Sequence, residues 1–372
     1  MKLLLTGVAG QLGSAVVDLA PERGLDLAPV VRAHRPGRLP VDRVFPQLAG
    51  GIVTGDVRQP SWGLAEAALD ELAATVDVVL NLAGDTDWAA SARDLYATNV
   101  LGARHGLDVA RELQRRSGRR LLYCHVSSFV VAGGALGSIA EVPLPPDRHR
   151  TQYEESKWVA ERELAAAHRP GDPDVLIARV GALLGDSRTG RTAKRNSLYV
   201  LSDRWRDLPG RVLPAMPGAR VDILPRDVAA RGLLDALDGM VRAGPRAEPV
   251  IVHVTAGERA PTLRNLLETA RSIAPGAFGE WVRLVPASAE RILWLSGNAQ
   301  RFLPLSKGWR NRVIGLRYIG LDRIWERGRL ADLVAGPLPA ADPEVLARLT
   351  FDLPAPRPPV APGDPNLARF RP

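Results

Sequence analysis

The chain has 372 residues with a formal net charge of +8, a length that suits one large α/β unit or two intimately packed ones. Apolar residues make up 46% and charged residues 24%, the profile of a globular enzyme, and no run of about 18 apolar residues offers a spanning helix. One cysteine, Cys124, excludes an internal disulfide and a multi-cysteine metal site.

Met1-Lys2-Leu3-Leu4-Leu5 reaches Thr6-Gly7 after three leucines, too short for the apolar core of a signal peptide, so a cytoplasmic location is the expectation. Only Lys2, Lys157, Lys194 and Lys307 among the 49 basic residues are lysines. The positive charge is arginine spread along the chain, with no basic run interleaved with aromatics. This argues against nucleic acid and favours acidic partners such as phosphate-bearing cofactors.

Short β-branched or leucine-rich runs alternate with helical stretches through the first half, which predicts a Rossmann-type, doubly wound parallel sheet. Strands are expected at 2–6, 28–32, 51–54, 77–82, 121–127 and 175–180, and helices near 11–21, 63–74, 92–115 and 152–167. After about 182, Pro and Gly become frequent. Helical pieces at 226–241 and 262–273 alternate with strands at 220–224 and 249–255. The expected division is a cofactor-binding domain over 1–181 (with a strand and a helix returning from the C-terminal half) and a substrate-binding region over 182–284. A Trp- and Arg-rich extension over 285–355 and a Pro-rich tail over 356–372 follow.

Thr6-Gly7-Val8-Ala9-Gly10-Gln11-Leu12-Gly13 follows the first strand and opens the first helix. Glycines at this spacing let a helix N-terminus approach a pyrophosphate, where side chains would block the backbone. Arg32 closes the second strand, where an acid would hold the ribose 2′-hydroxyl of NAD; an arginine suits the 2′-phosphate of NADP(H). His34, Arg35 and Arg38 keep that loop basic. Gly55-Asp56-Val57 follows the third strand, where a carboxylate can accept the adenine amino group. Leu82-Ala83-Gly84 places small residues against the ribose and phosphates, and Val180, closing the sixth strand, completes the cofactor-facing set.

Tyr153 and Lys157 stand four residues apart on one helix face. A neighbouring cation is expected to lower the phenol pKa and make it a usable acid. Ser127-Ser128 ends the fifth strand; of the two, Ser128 is placed to hydrogen-bond a reacting carbonyl oxygen. Asn99, in the intervening helix, is a candidate to hold a water or a backbone carbonyl near Lys157. Histidines 34, 105, 125, 149, 168 and 253 lack metal-ligand spacing, and His125 and His253 read as core residues. No metal is expected.

These residues together resemble the extended short-chain dehydrogenase/reductase superfamily, and narrow towards its thioester reductase and fatty acyl-coenzyme A reductase branch. The narrowing rests on Val31-Arg32-Ala33, Trp62-Gly63-Leu64, Asn99-Val100-Leu101-Gly102 and the tyrosine helix running from Tyr153 through Ser156-Lys157-Trp158 to Glu161. Gly185-Asp186-Ser187-Arg188-Thr189-Gly190 is the most specific string. The resemblance covers about residues 1–275. It implies hydride transfer from NADPH to an acyl thioester on a carrier protein or coenzyme A, with an aldehyde released through a hemithioacetal and sometimes reduced again to the alcohol. In it Tyr153 donates the proton, Ser128 steadies the oxyanion, and Lys157 holds the nicotinamide ribose and tunes Tyr153. Asn81-Leu82-Ala83-Gly84 departs from the commoner His-x-Ala-Ala, and 285–355 has no clear counterpart in the thioester reductase domains. The same triad would serve a dehydrogenase of a free alcohol or ketone; a non-catalytic NADP-binding protein could dispense with the tyrosine. The extension holds nine basic residues against three acids over 290–329, which suits either solvated arginines on packed helices or a surface docking an acidic carrier protein. A monomer or a homodimer is expected.

Overall fold

The structure, a computed structural model, describes residues 1–33, 41–48, 50–88, 90–146, 149, 151–193, 212–275, 283–302, 318, 320–351 and 353. Its strands in chain order are β1 Lys2–Thr6, β2 Asp26–Val31, β3 Val53–Thr54, β4 Val78–Asn81, β5 Leu122–Ser128, β6 Gly137–Ile139 and β7 Asp174–Val180. They continue with β8 Ala182–Leu184, β9 Val212–Ala215, β10 Ile223–Pro225, β11 Val250–Val254, β12 Arg283–Pro286 and β13 Arg323–Trp325.

Seven strands form one parallel sheet in the order β11-β7-β5-β4-β1-β2-β3. The continuous apolar runs in β1 and β7 follow from burial on both faces. Alternation sorts the side chains. Leu3 and Leu5 join helices Gln11–Leu19 and Arg226–Ala243 on one face, while Leu4, Val79, Tyr123 and Val175 join helices Glu66–Thr75, Gly102–Ser117 and Gln152–Ala167 on the other.

The remaining strands pair in twos, all parallel: β8 with β10, β9 with β12, and β6 with β13. Helices Leu263–Ile273 and Pro343–Phe351 cover the first of these through Leu184, Ile223, Leu266 and Leu346. The region after 182 is therefore interleaved with the main sheet, since helix Arg226–Ala243 and β11 return to it. The described residues from Leu321 to Leu333 join the same packing. Trp325 is buried with Ile139 and Ala132, and Leu330 joins the main core. The Pro-rich tail lies outside the described residues.

The single helix expected over 92–115 is divided. A short helix Ala92–Leu95 runs into a π-helical segment Tyr96–Leu101 and then into Gly102–Ser117. The wider turn coincides with Asn99, whose amide is bonded to main chain and to Ser156 outside the helix.

Candidate active site

The carboxyl ends of β1, β4, β5 and β7 converge where the strand order reverses between β1 and β4, the crevice in which open α/β sheets place their ligands. Gly7 has φ +73°, and a Cβ there would come within 2.7 Å of the Leu82 carbonyl carbon. A Cβ on Gly13 would collide with the Gly7 carbonyl. Gly10 caps helix Gln11–Leu19 without a side-chain bond to its first turn, so backbone N–H groups face the crevice uncapped. This cradle has no room for side chains at Gly7 and Gly13.

Other residues of the turn hold the scaffold. The buried Thr6 hydroxyl donates to Asn81 Oδ1 at 2.8 Å and accepts the Ala83 N–H at 3.0 Å, pinning the β4 turn to β1. Leu12 and Val180 are buried in the core, Val180 in register with Ser128 across β5 and β7. Gln11 reaches the loop after Gly190: its Nε2 donates to Thr192 Oγ1 at 2.5 Å, and its Oε1 accepts the Ala193 N–H at 2.8 Å. That loop is itself braced, since Asp186 accepts from the Arg188 and Thr189 N–H groups and Asp227 accepts from Ser187.

Arg32 is exposed at the end of β2, and His34, Arg35 and Arg38 lie outside the described residues. Asp56, the candidate acceptor of an adenine amino group, is paired with Arg58. Its carboxylate receives Arg58 Nε at 3.1 Å and an Arg58 terminal nitrogen at 2.6 Å. The Arg58 bonds, with help from the charge of Arg32, hold this carboxyl below the usual range. Arg58, two residues on, was missed because nothing in the sequence pattern aims it back at Asp56. Val57 packs against Gly102, and its carbonyl is bonded by His105 Nδ1 at 3.0 Å.

Helix Gln152–Ala167 starts at Thr151, whose hydroxyl accepts the Glu154 N–H at 3.1 Å. It presents Tyr153, Ser156, Lys157 and Glu161 to the core. Ser128, half-buried at the end of β5, hydrogen-bonds the Tyr153 phenol. Lys157 Nζ donates to the Val126 carbonyl at 3.1 Å and lies under Gly84, where a Cβ would stand 3.2 Å from it. Asn99 Nδ2 donates to the Asp85 carbonyl and to Ser156 Oγ, both at 3.0 Å, and its Oδ1 accepts the Asp85 N–H at 2.8 Å. It thus ties the loop after Gly84 to the tyrosine helix.

The electrostatics correct one expectation. The Tyr153 phenol is pushed up to about 12, by burial first and by the negative charge of Asp85, while the Ser128 bond works the other way. The Lys157 ammonium is hydrogen-bonded to the Val126 carbonyl instead. Burial pulls Lys157 down to about 8, opposed by Glu161. The charge of Arg188 acts on Glu22, just beyond helix Gln11–Leu19. Lys194, Arg195, Arg310 and Arg312 lie outside the described residues. His125 and His253 are fully buried, as core residues, and no group of His, Cys, Asp and Glu among the described residues could hold a metal.

An aromatic layer lies beside Tyr153. Trp88, Phe129 and Tyr318 pack against Leu95, Val130 and Tyr153, with the Trp88 and Tyr318 rings 5.0 Å apart. Tyr318 donates its hydroxyl to the buried Glu154 at 2.6 Å. Tyr318 and Glu154 were missed; no local pattern joins residues so far apart.

The NAD-binding family model described as "Male sterility protein" matches residues 50–233. Residues 50–233 thus resemble that NAD-binding family, in keeping with the resemblance to extended short-chain dehydrogenase/reductases seen in the sequence. The chain is 28% identical to a component of the linear gramicidin synthase of Brevibacillus parabrevis over 256 residues, 62% of this chain and 5% of that protein. It is 27% identical to an isonitrile lipopeptide synthase of Streptomyces coeruleorubidus over 70% of this chain and 17% of that protein. The chain thus spans less than a fifth of either relative. The terminal R domain of the myxalamid PKS-NRPS pathway shares the fold at a TM-score of 0.69 and 22% identity, covering 94% of this chain and 89% of that one. Among the described residues no helix is long and apolar enough to cross a membrane.

Proposed function

We propose that the protein reduces an acyl thioester, delivered on the phosphopantetheine arm of a carrier protein or on coenzyme A, to the aldehyde with NADPH. The observation that carries the reading is the meeting of Ser128, Tyr153 and Lys157 beside the glycine cradle, with a phenol held protonated. A tyrosine near 12 keeps its proton throughout the neutral range, which suits a donor in reduction and disfavours the phenolate that oxidation would need.

The residues fit a dinucleotide. Gly7, Gly10 and Gly13 would hold the pyrophosphate at the helix N-terminus, and Lys157 the nicotinamide ribose. Arg32, with Arg58 nearby on Asp56, would take a 2′-phosphate, the basis for NADP(H) over NAD. The bound cofactor supplies the hydride. Ser128 and Tyr153 donate hydrogen bonds to the carbonyl oxygen as negative charge builds there, and Tyr153 passes its proton to that oxygen. The tetrahedral product is a hemithioacetal. When it collapses, the carbon–sulfur bond breaks, the hydroxyl proton goes to the departing thiolate, and the aldehyde leaves.

Support for a carrier-bound substrate comes from the relatives and the solved fold, which are parts of peptide and polyketide assembly proteins. An acidic carrier protein would meet a positive surface, to which the exposed Arg191 contributes. The aromatic layer of Trp88, Phe129 and Tyr318 would wall the acyl group near Tyr153.

A panel of acyl-carrier thioesters, acyl-coenzyme A, aldehydes and ketones with NADPH tests the reading. Aldehyde formation from a thioester is expected. Turnover of ketones or secondary alcohols with none on any thioester would transfer the assignment to a free-carbonyl dehydrogenase.

A further inference from the structure

Behind the candidate triad lies a buried ion pair that no step above employs. Glu161 stands one helical turn beyond Lys157, and Arg179 lies in β7 directly across from Ser127 of β5. Arg179 is fully buried. It donates to Glu161 from Nε at 3.0 Å and from a terminal nitrogen at 2.7 Å. The rest of its donors reach the carbonyls of Ala140 and Val142 and His253 Nε2 at 3.2 Å. Ser127 Oγ donates to the same Glu161 carboxylate at 2.6 Å.

The chain of bonds continues to the C-terminal segment. A guanidinium cannot accept, so His253 Nε2 is the bare nitrogen, and Nδ1–H donates to the Glu326 carbonyl at 2.7 Å. Burial, then the charge of Arg179, lowers His253 to about 3, in keeping with that neutral form. The His253 ring meets the Trp325 ring edge-on at 4.9 Å. A fully satisfied buried pair of this kind adds little net stability over apolar residues of the same shape. What it does is fix geometry.

We propose that Glu161, with Arg179, is a positioning residue for the reaction: it fixes Ser127, and with it the Ser128 end of β5, and sets a negative charge one turn from the Lys157 ammonium. The proposal rests on the roles given above to Ser128 and Lys157. The groups around Lys157 are Tyr153 and Glu161 on its own helix, His125 on β5, Asp85 after β4 and Arg179 on β7 behind Glu161. Both ring nitrogens of His125 lack a partner, and its ring is held neutral by burial and by the Lys157 charge. Glu161 is therefore the nearby group that favours the ammonium.

The test uses the full chain and begins with NADPH binding, which needs no substrate and so remains informative if the thioester reading fails. Wild-type affinity should fall as pH rises through about 8, where Lys157 loses its proton. The double variant Glu161→Gln/Arg179→Met removes both charges and leaves none stranded; its midpoint should move down by about one pH unit. A folded double variant, judged by circular dichroism, whose midpoint stays with wild type overturns the proposal. Ser127→Ala keeps the ion pair, so folding does not depend on finding a new partner. It should lower kcat about ten-fold through misplacement of Ser128, with NADPH affinity and its pH midpoint unmoved. Unchanged kcat in Ser127→Ala also overturns it.

Discussion

The seven-stranded sheet and the two-stranded pairs of the C-terminal half bury their apolar surface in different ways. In the sheet, β5 and β7 are paired over seven residues, with helices on both faces. Each reactive group stands at a strand end or on a helix docked along its length, so its place is set by many contacts. The small pairs join segments far apart in the chain, β6 with β13 and β9 with β12 over three and four residues. Of these pairs, β13 reaches towards the site through the buried Trp325, whose ring meets Phe129 and His253. The sheet thus carries the candidate triad, while the smaller pairs form a lobe beside it.

The largest effect expected on this contrast is at the centre of the sheet. Tyr153→Phe should cost about 10²–10⁴-fold in kcat, the usual share of a general acid, with NADPH binding intact. Steady-state rates and a fluorescence titration check it; retention of more than about a tenth of the wild-type rate would remove Tyr153 from its role.

Trp325→Ala probes the lobe. Trp325 is 2% exposed. Its loss should cost about 3–5 kcal/mol of stability, seen as a lowered Tm. NADPH binding at 25 °C should survive, since no cofactor-facing residue lies on β13. Equal loss of cofactor binding would show that the two regions are one cooperative unit and dissolve the contrast.

Arg32→Asp should weaken NADPH binding about ten-fold or more and shift preference towards NADH, because attraction to a 2′-phosphate becomes repulsion. A wild type that already prefers NADH would break the assignment.

The smallest effect is set by pH. Lys157 has a pKa drawn down to about 8 from the usual lysine value, so its cation is present below 8 and lost as pH rises through it. Affinity for NADPH should be full near pH 7 and fall several-fold by about pH 9, as one phosphate- or ribose-facing cation is lost. Lys157→Arg, which stays charged, should flatten that decline in the same titration.

Much of the sheet and the cradle was legible before folding. Continuous apolar runs announce strands buried on both faces, and Gly7, Gly10 and Gly13 sit where a turn tolerates no side chain. The helix expected over 152–167 is the helix observed. These features are local, and local sequence carries them. Asn99 shows the limit, since a smooth apolar stripe hid a π-helical turn that exists because one amide bonds across to Asp85 and Ser156. The state of Tyr153 was read from one neighbour, whereas burial and Asp85 decide it. The pairing of Asp56 with Arg58, of Glu154 with Tyr318 and of Glu161 with Arg179 depends on which atoms the finished fold brings within about 3 Å. Sequence spacing determined which residues share a face; only the tertiary structure decided which charges and donors meet across faces, because those distances are sums over the whole path of the chain.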